Sequence, residues 1–193
     1  MNRASVLPVK FVGWLCASLL SFSALISVSP SARAASASEI SADATAALEQ
    51  LYTQDPRIRQ LGDKAVAVLV FPNIIKGGFL VGGERGSGAL IRRGQVEGFY
   101  SISALSFGLQ AGAQQFSYAL FFMNEPALAY LNQSDGWALG AGPSLVVVDQ
   151  GYAASISTTT LTQDVYAVPF GEQGLMAGMG LEGSKISSMV PDS

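Results

Sequence analysis

The chain has 193 residues, of which 49% are hydrophobic and 13% charged, with a net charge of −3, 21 glycines, no histidine and a single cysteine, Cys16. Those absences exclude histidine general bases and histidine-held metals throughout, and cysteine nucleophiles or internal disulfides in any form of the chain that has lost Cys16. A chain of this size can bury a core large enough to stand without staples, so one domain is expected.

Arg3 and Lys10 precede an apolar run over residues 11–28, followed by Pro30 and Ala32-Arg33-Ala34, which is the layout of a secretory signal. Cleavage is expected before Ala35 or, at a second small-x-small site, before Ser38. Residues 1–34 read as the signal, 35–47 as linker and the start of an N-terminal helix, and 48–190 as the folded domain. The alternative is an uncleaved anchor, because the run reaches the roughly 18 residues at which a spanning helix becomes plausible. Lipidation of Cys16 fits less well, since Trp14 and Leu15 stand where small residues would be needed.

Loss of Arg3, Lys10 and Arg33 takes the net charge from −3 to −6. The remainder is uneven. Arg57, Arg59, Lys64, Lys76, Arg85, Arg92 and Arg93 share residues 57–93 with only Asp63 and Glu84, a +5 segment in an otherwise acidic chain.

Ala44, Ala47, Leu48, Leu51 and Tyr52 have the spacing of one helical face, with Ser41 as the expected N-cap. Asp55-Pro56 starts a second short helix that turns Ile58 and Leu61 inward. The period then changes. Residues 65–71 form a β-branched run read as a central strand buried on both faces and stopped by Pro72-Asn73. Further strands are expected near residues 78–83, 88–93, 97–109, 115–123, 137–148, 160–170 and 175–186. Gly94-Gln95 is a candidate hairpin turn, and Asn124 caps a short helix with Pro126 in its first turn. Gly82, Gly112, Gly142 and Gly178 each follow a large apolar residue by three positions, and glycines repeated inside strands suggest a bent sheet. The expected fold is mainly β (α+β): a strongly coiled antiparallel sheet, sandwich or small barrel, with N-terminal helices and one short inserted helix.

Chemical motifs are scarce. Residues 178–183 satisfy the G-x-G-x-x-G pattern, but too few residues follow to complete a dinucleotide-binding unit. Residues 82–88 lack the Gly-Lys-Ser/Thr of a phosphate loop, and both stretches read as turns or bent strands. No carboxylate dyad stands out, so no enzyme activity and no cofactor are expected. The basic segment carries the functional content: a loop presenting Ile74, Ile75 or Phe79 beside cations could dip into a bilayer while the cations meet phosphates. Arg92-Arg93 should expose at least one cation, because neighbouring strand positions point to opposite faces.

Residues 64–72, Lys76 to Gly83 with Gly86-Ser87-Gly88, Gly108 with Gly112, Asn124 with Ala127-Leu128, residues 140–143 and residues 174–186 together resemble the SYLF domain family in order and spacing. These are lipid-binding modules of exported bacterial proteins and of eukaryotic membrane-trafficking and actin-patch proteins, and the resemblance runs over residues 48–189. It implies binding of acidic phospholipids, phosphoinositides in the eukaryotic members, and actin in some of those. The chain departs from the family at residues 98–101, where many relatives carry a Trp-Ser-x-Pro-like segment. Its helix over residues 41–53 has no Lys or Arg, so the membrane role of the basic N-terminal helix in relatives does not transfer.

The reading is a non-enzymatic exported protein, periplasmic or secreted and able to sit peripherally on a membrane. It contacts acidic phospholipids through Lys64, Lys76, Arg85, Arg92 and Arg93 with Ile74 and Ile75. No nucleic-acid partner and no actin binding are expected. The alternative is a small outer-membrane β-barrel or a structural envelope protein.

Overall fold

The computed structural model describes residues 35–192 apart from 134, 149–160 and 174–182, so the segment expected to be a signal, Gly178 and most of the G-x-G-x-x-G stretch lie outside the described residues. The described chain is mainly β, one strongly curled sheet forming a half-barrel with short helices. No helix among the described residues is long and apolar enough to cross a membrane.

Helix α1, Ala37–Gln54, begins earlier than the Ser41 cap would have it. Ser36 accepts from the Glu39 backbone N–H while the Glu39 carboxylate accepts from the Ser36 N–H, a reciprocal box that satisfies two free donors of the first turn. Ser41 is inside the helix, its hydroxyl donating to the Ala37 carbonyl at 2.7 Å. Ile40, Ala44, Leu48 and Leu51 are the buried stripe. Asp55 caps α2, Pro56–Gly62, as expected, and buries Ile58 and Leu61. Its carboxyl is held below the usual range, first by the side-chain hydrogen bond from Arg57.

Strand β1 runs unbroken over Ala67–Arg92 and β2 over Gln95–Phe122, antiparallel from end to end. Five expected strands are therefore two. The run over residues 65–71 is buried on both faces as expected, yet among the described residues β1 pairs only with β2 and so lies at an edge. The turn joining them is Arg93-Gly94, one residue before the expected place. Both residues have positive φ (51° and 77°), the conformation whose twist matches a two-residue hairpin loop.

Pro72-Asn73 does not stop the strand. Phe71 pairs with Tyr118 and Ile74 with Phe116, so two residues of β1 oppose Ser117 alone. Ser117 Oγ donates to the Pro72 carbonyl at 2.7 Å. Proline has no N–H to lose from the ladder, and a bulge is where a strand accepts one.

Past Phe122, Asn124 caps α3, Glu125–Leu128, which continues as a 3-10 turn over Ala129–Asn132. The expected strand over 137–148 is instead β3, Trp137–Ala138, and β4, Leu145–Val147, separated by a turn in which Gly140 and Gly142 have φ of 95° and 85°. Gly142 is thus a turn glycine, and the four-glycine echo does not mark four strands. β5, Val165–Gln173, and β6, Lys185–Met189, share the far edge of β2: β6 lies on residues 99–103 and β5 on 115–122. β4 joins β5 in parallel and β3 joins β6. Asp164 ties these pieces together, accepting from Asn124 and from the backbone and hydroxyl of Ser144, and these bonds depress its pKa, the Ser144 backbone donor first.

The sheet buries apolar residues on both faces. Leu69, Phe71, Ile74, Leu90, Tyr100, Ile102 and Trp137 form the inner core with α3. Val68, Val70, Ala89, Ile91, Phe121 and Tyr166 pack under α1 and α2.

Curling brings β1 back over itself. A Cβ at Gly86 would stand 2.8 Å from Cγ1 of Ile74, and one at Gly88 would be 2.6 Å from Cδ1 of Phe71 and closer still to the Val70 carbonyl. Backbone cannot yield as a flexible side chain can. Gly88→Ala is expected to cost about 2–3 kcal/mol in urea denaturation, the overpacking range. Gly83→Ala, whose Cβ would meet nothing nearer than 3.7 Å, should stay within about 0.5 kcal/mol. Equal costs would contradict the fold-back.

Candidate functional site

Along β1 the even positions Ile74 and Leu90 face inward and the odd positions Ala89 and Ile91 outward, because the irregularity between Gly78 and Leu80 places its extra residues in β2. Glu84 thus shares the inner face with Ile74 and Leu90, whereas Ile75, Arg85 and Ser87 share the outer face with Ala89.

Register then carries this outer face across three strands. Arg85 pairs with Ser103, and Ser103 with Lys185. The next row on the same face is Ser87, Ser101 and Ser187, and the one after is Ala89, Phe99 and Met189. The face grades from apolar residues beneath α1, through a serine row, to a row with a cation at each end. Leu105, opposite Gly83, comes next and is 79% exposed. Arg85, Ser103 and Lys185 are all exposed. Neither cation forms an ion pair among the described residues. Arg85, Lys185, Ile75 and Leu105 line an open groove of about 1010 Å³ whose helical wall includes Ile40 and Asp43 of α1.

The seven residues expected at the site do not lie together. Ile74 is fully buried, so it belongs to the core and not to an exposed loop, and residues 71–79 are strand. Ile75 is 56% exposed and lines the groove. The bulge at Pro72-Asn73 decides between them. Lys76 is on the inner face, where its charge acts on Glu84. Arg92 is ion-paired with Glu125 and lies 4.0 Å from Glu97, while Arg93 is exposed because it sits in the hairpin turn, not because strand positions alternate. Arg92 and Arg93 line a separate cavity of about 500 Å³ with Tyr52 and Asp63. Burial and the Asp63 charge push the Tyr52 phenol to about 12. Lys64 is exposed just after Asp63. The +5 segment is therefore split between two surfaces, and of its cations only Arg85 lines the groove.

Lys185, Ser103 and Leu105 are residues that the basic-segment argument missed. A signal for them existed. Arg85-Gly86-Ser87, Ser101-Ile102-Ser103 and Lys185-Ile186-Ser187 each alternate polar with apolar or glycine, the pattern of one polar and one buried strand face. Reading which strands adjoin requires the register, and that is not local information.

Chemically the groove can receive an anion with an apolar body. Among the described residues no cluster of three or more His, Cys, Asp or Glu side chains could hold a metal ion.

The elements define a small α+β domain on a curled half-barrel. Residues 103–190 match the family described as Ysc84: Las17-binding protein actin regulator. That match agrees with the resemblance to the SYLF family read from the sequence. The match begins at Ser103, within β2, and takes in α3 and β3 to β6, so the pieces quoted from residues 64–88 precede it. No curated protein matches the chain.

On the inner face the row below the cations is Glu84, Ala104 and Ser184. Glu84 is 6% exposed and accepts from the buried Ser184 hydroxyl at 3.4 Å across the small Ala104. Burial pushes its carboxyl up, against the pull of Lys76 and Ser184. A raised folded pKa means a stability contribution present below the unfolded value, about 4.3, and lost as pH rises through the folded one. Glu84→Gln keeps an acceptor for Ser184 without the charge. It should be more stable than wild type in urea at pH 7, with the gap narrowing towards pH 4; a pH-independent gap would contradict the burial cost.

Proposed function

We propose that the protein is an exported, non-enzymatic lipid-binding protein whose outer sheet face meets acidic phospholipid headgroups through Arg85 and Lys185, with Ile75 and Leu105 against the acyl region. SYLF domains are associated with lipid binding, and this family is not a known enzyme family. The observation that carries the reading is the groove in which two cations without ion-pair partners among the described residues adjoin two exposed aliphatic side chains. Helix α1 walls the groove but supplies no cation to it: its charged residues are Glu39, Asp43 and Glu49. Arg92 and Arg93, on the other surface, and Lys64, which does not line the groove, are left out, and Ile74 is core.

Each cation near an anionic surface contributes about 1 kcal/mol. Mature protein is expected to co-sediment with vesicles containing phosphatidylglycerol and weakly with zwitterionic ones. Replacing both Arg85 and Lys185 by Gln should weaken the anionic binding by about thirtyfold. Binding indifferent to lipid charge would sink the electrostatic reading.

Export makes a second prediction. Cleavage before Ala35 leaves Ser36 to cap α1 and to bridge Asp192, whereas cleavage before Ser38 removes both. The cap alone contributes about 1 kcal/mol. Mass spectrometry of the exported protein should therefore find Ala35 at the N-terminus, and a Ser38 start would overturn this choice of site.

A further inference from the structure

We infer that the Arg85–Ser103–Lys185 row, with the serine row beside it, is a seat for one phosphate monoester borne by a lipid. The inference rests on the lipid-binding reading above and goes beyond it, because a headgroup held in a seat is recognised by shape and hydrogen bonding as well as by charge.

Dimensions come first. Strands in a sheet are about 4.8 Å apart, so Arg85 and Lys185, two strands apart in one row, have Cα atoms separated by about 10 Å. Both side chains are long enough to lean inward over the short Ser103 between them. A guanidinium offers paired N–H groups that grip two oxygens of one phosphate, and an ammonium is a compact charge for a third. The Ser103 hydroxyl supplies a neutral donor at the base. Behind it, Ser87, Ser101 and Ser187 are half-buried one row along the same face. Ser101 Oγ already donates to the Ser187 carbonyl at 3.4 Å, which aligns the two strands at that level.

Charge and oxygen count then choose the ligand. A phosphate monoester carries about −1.5 to −2 near pH 7 and has three free oxygens. A phosphodiester headgroup such as that of phosphatidylglycerol carries one negative charge and two free oxygens. Two unpaired cations with a hydroxyl between them complement the first and leave the second with donors unused. The nearby acids are Asp43, on the α1 wall, and Glu84, facing inward from the same sheet level with Lys76 beside it. Neither ion-pairs with Arg85 or Lys185. A free phosphate would have no use for exposed Ile75 and Leu105 along the same groove, whereas an acyl chain would.

The test compares zwitterionic vesicles doped with phosphatidic acid or with phosphatidylglycerol, matched for surface charge by electrophoretic mobility. Wild type should bind the phosphatidic acid vesicles at least about tenfold more tightly, as one extra charge-assisted hydrogen bond would give. Ser103→Ala should shrink that ratio. Arg85→Gln should abolish it, and Lys64→Gln, an equal change of net charge at an exposed residue that does not line the groove, should preserve it. Equal binding of wild type to the two matched vesicles would overturn the seat and leave general lipid binding standing. Binding to neither would remove the lipid reading and the seat with it. Inorganic phosphate binding by calorimetry as tightly as the vesicles would overturn the lipid as the source of the phosphate.

Discussion

Two residues of β1, Pro72 and Asn73, stand opposite one residue of β2, Ser117, and the orientation of the described side chains that follow on β1 depends on that mismatch. Strand side chains alternate with a period of two, so one added residue exchanges the faces of all that come after it. Before the bulge the odd positions Leu69 and Phe71 point into the inner core; after it the even positions Ile74 and Leu90 do. Without the bulge Ile75 would be core, Arg85 would point into the half-barrel and Glu84 out to the groove.

The same level of the sheet thus has opposite chemistry on its two sides. Arg85, Ser103 and Lys185 face solvent, and Glu84 and Ala104, the next pair along β1 and β2, face inward with Ser184, which immediately precedes β6. Charges of opposite sign separated by one thickness of backbone stabilise each other only weakly when one is in water. The carboxyl nevertheless cannot be shed to solvent, because the row that places it is the row that places the cations. Moving one would move both.

Local chemistry was legible in the sequence where it acts over a few residues. Asp55-Pro56 and Asn124 with Pro126 mark helix starts because a cap and a proline three or fewer residues away suffice to make one. Ser41 failed for the same reason. Ser36 with Glu39 offers two reciprocal bonds where Ser41 offers one, and the stronger local arrangement moved the helix start to Ala37. Strand lengths were misread because glycine and proline, which usually punctuate, here serve a continuous strand that bends. Gly86 and Gly88 are wanted for contact with residues 70–74 of the same strand, a fact invisible without the curl. The candidate site was half legible: Arg85 and Ile75 were within the basic segment, but Lys185 comes from a strand a hundred residues later in the chain. A run of like charge in sequence is not a patch in space when the strand carrying it turns its residues alternately in and out.

The two-residue turn at Arg93-Gly94 joins the longest strands of the molecule. Every pair between them, from Arg92 with Gln95 to Ala67 with Phe122, closes a loop through that one turn, and each new pair lengthens the loop already closed by only a few residues. Loop closure grows slowly in cost with length, so the ladder can advance pair by pair from a single nucleus. β6 has no such route, since its contact with residues 99–103 must close across some eighty intervening residues. The hairpin should therefore assemble as a zipper and supply the template on which β6 docks late, so the cationic row is completed only when folding is nearly finished.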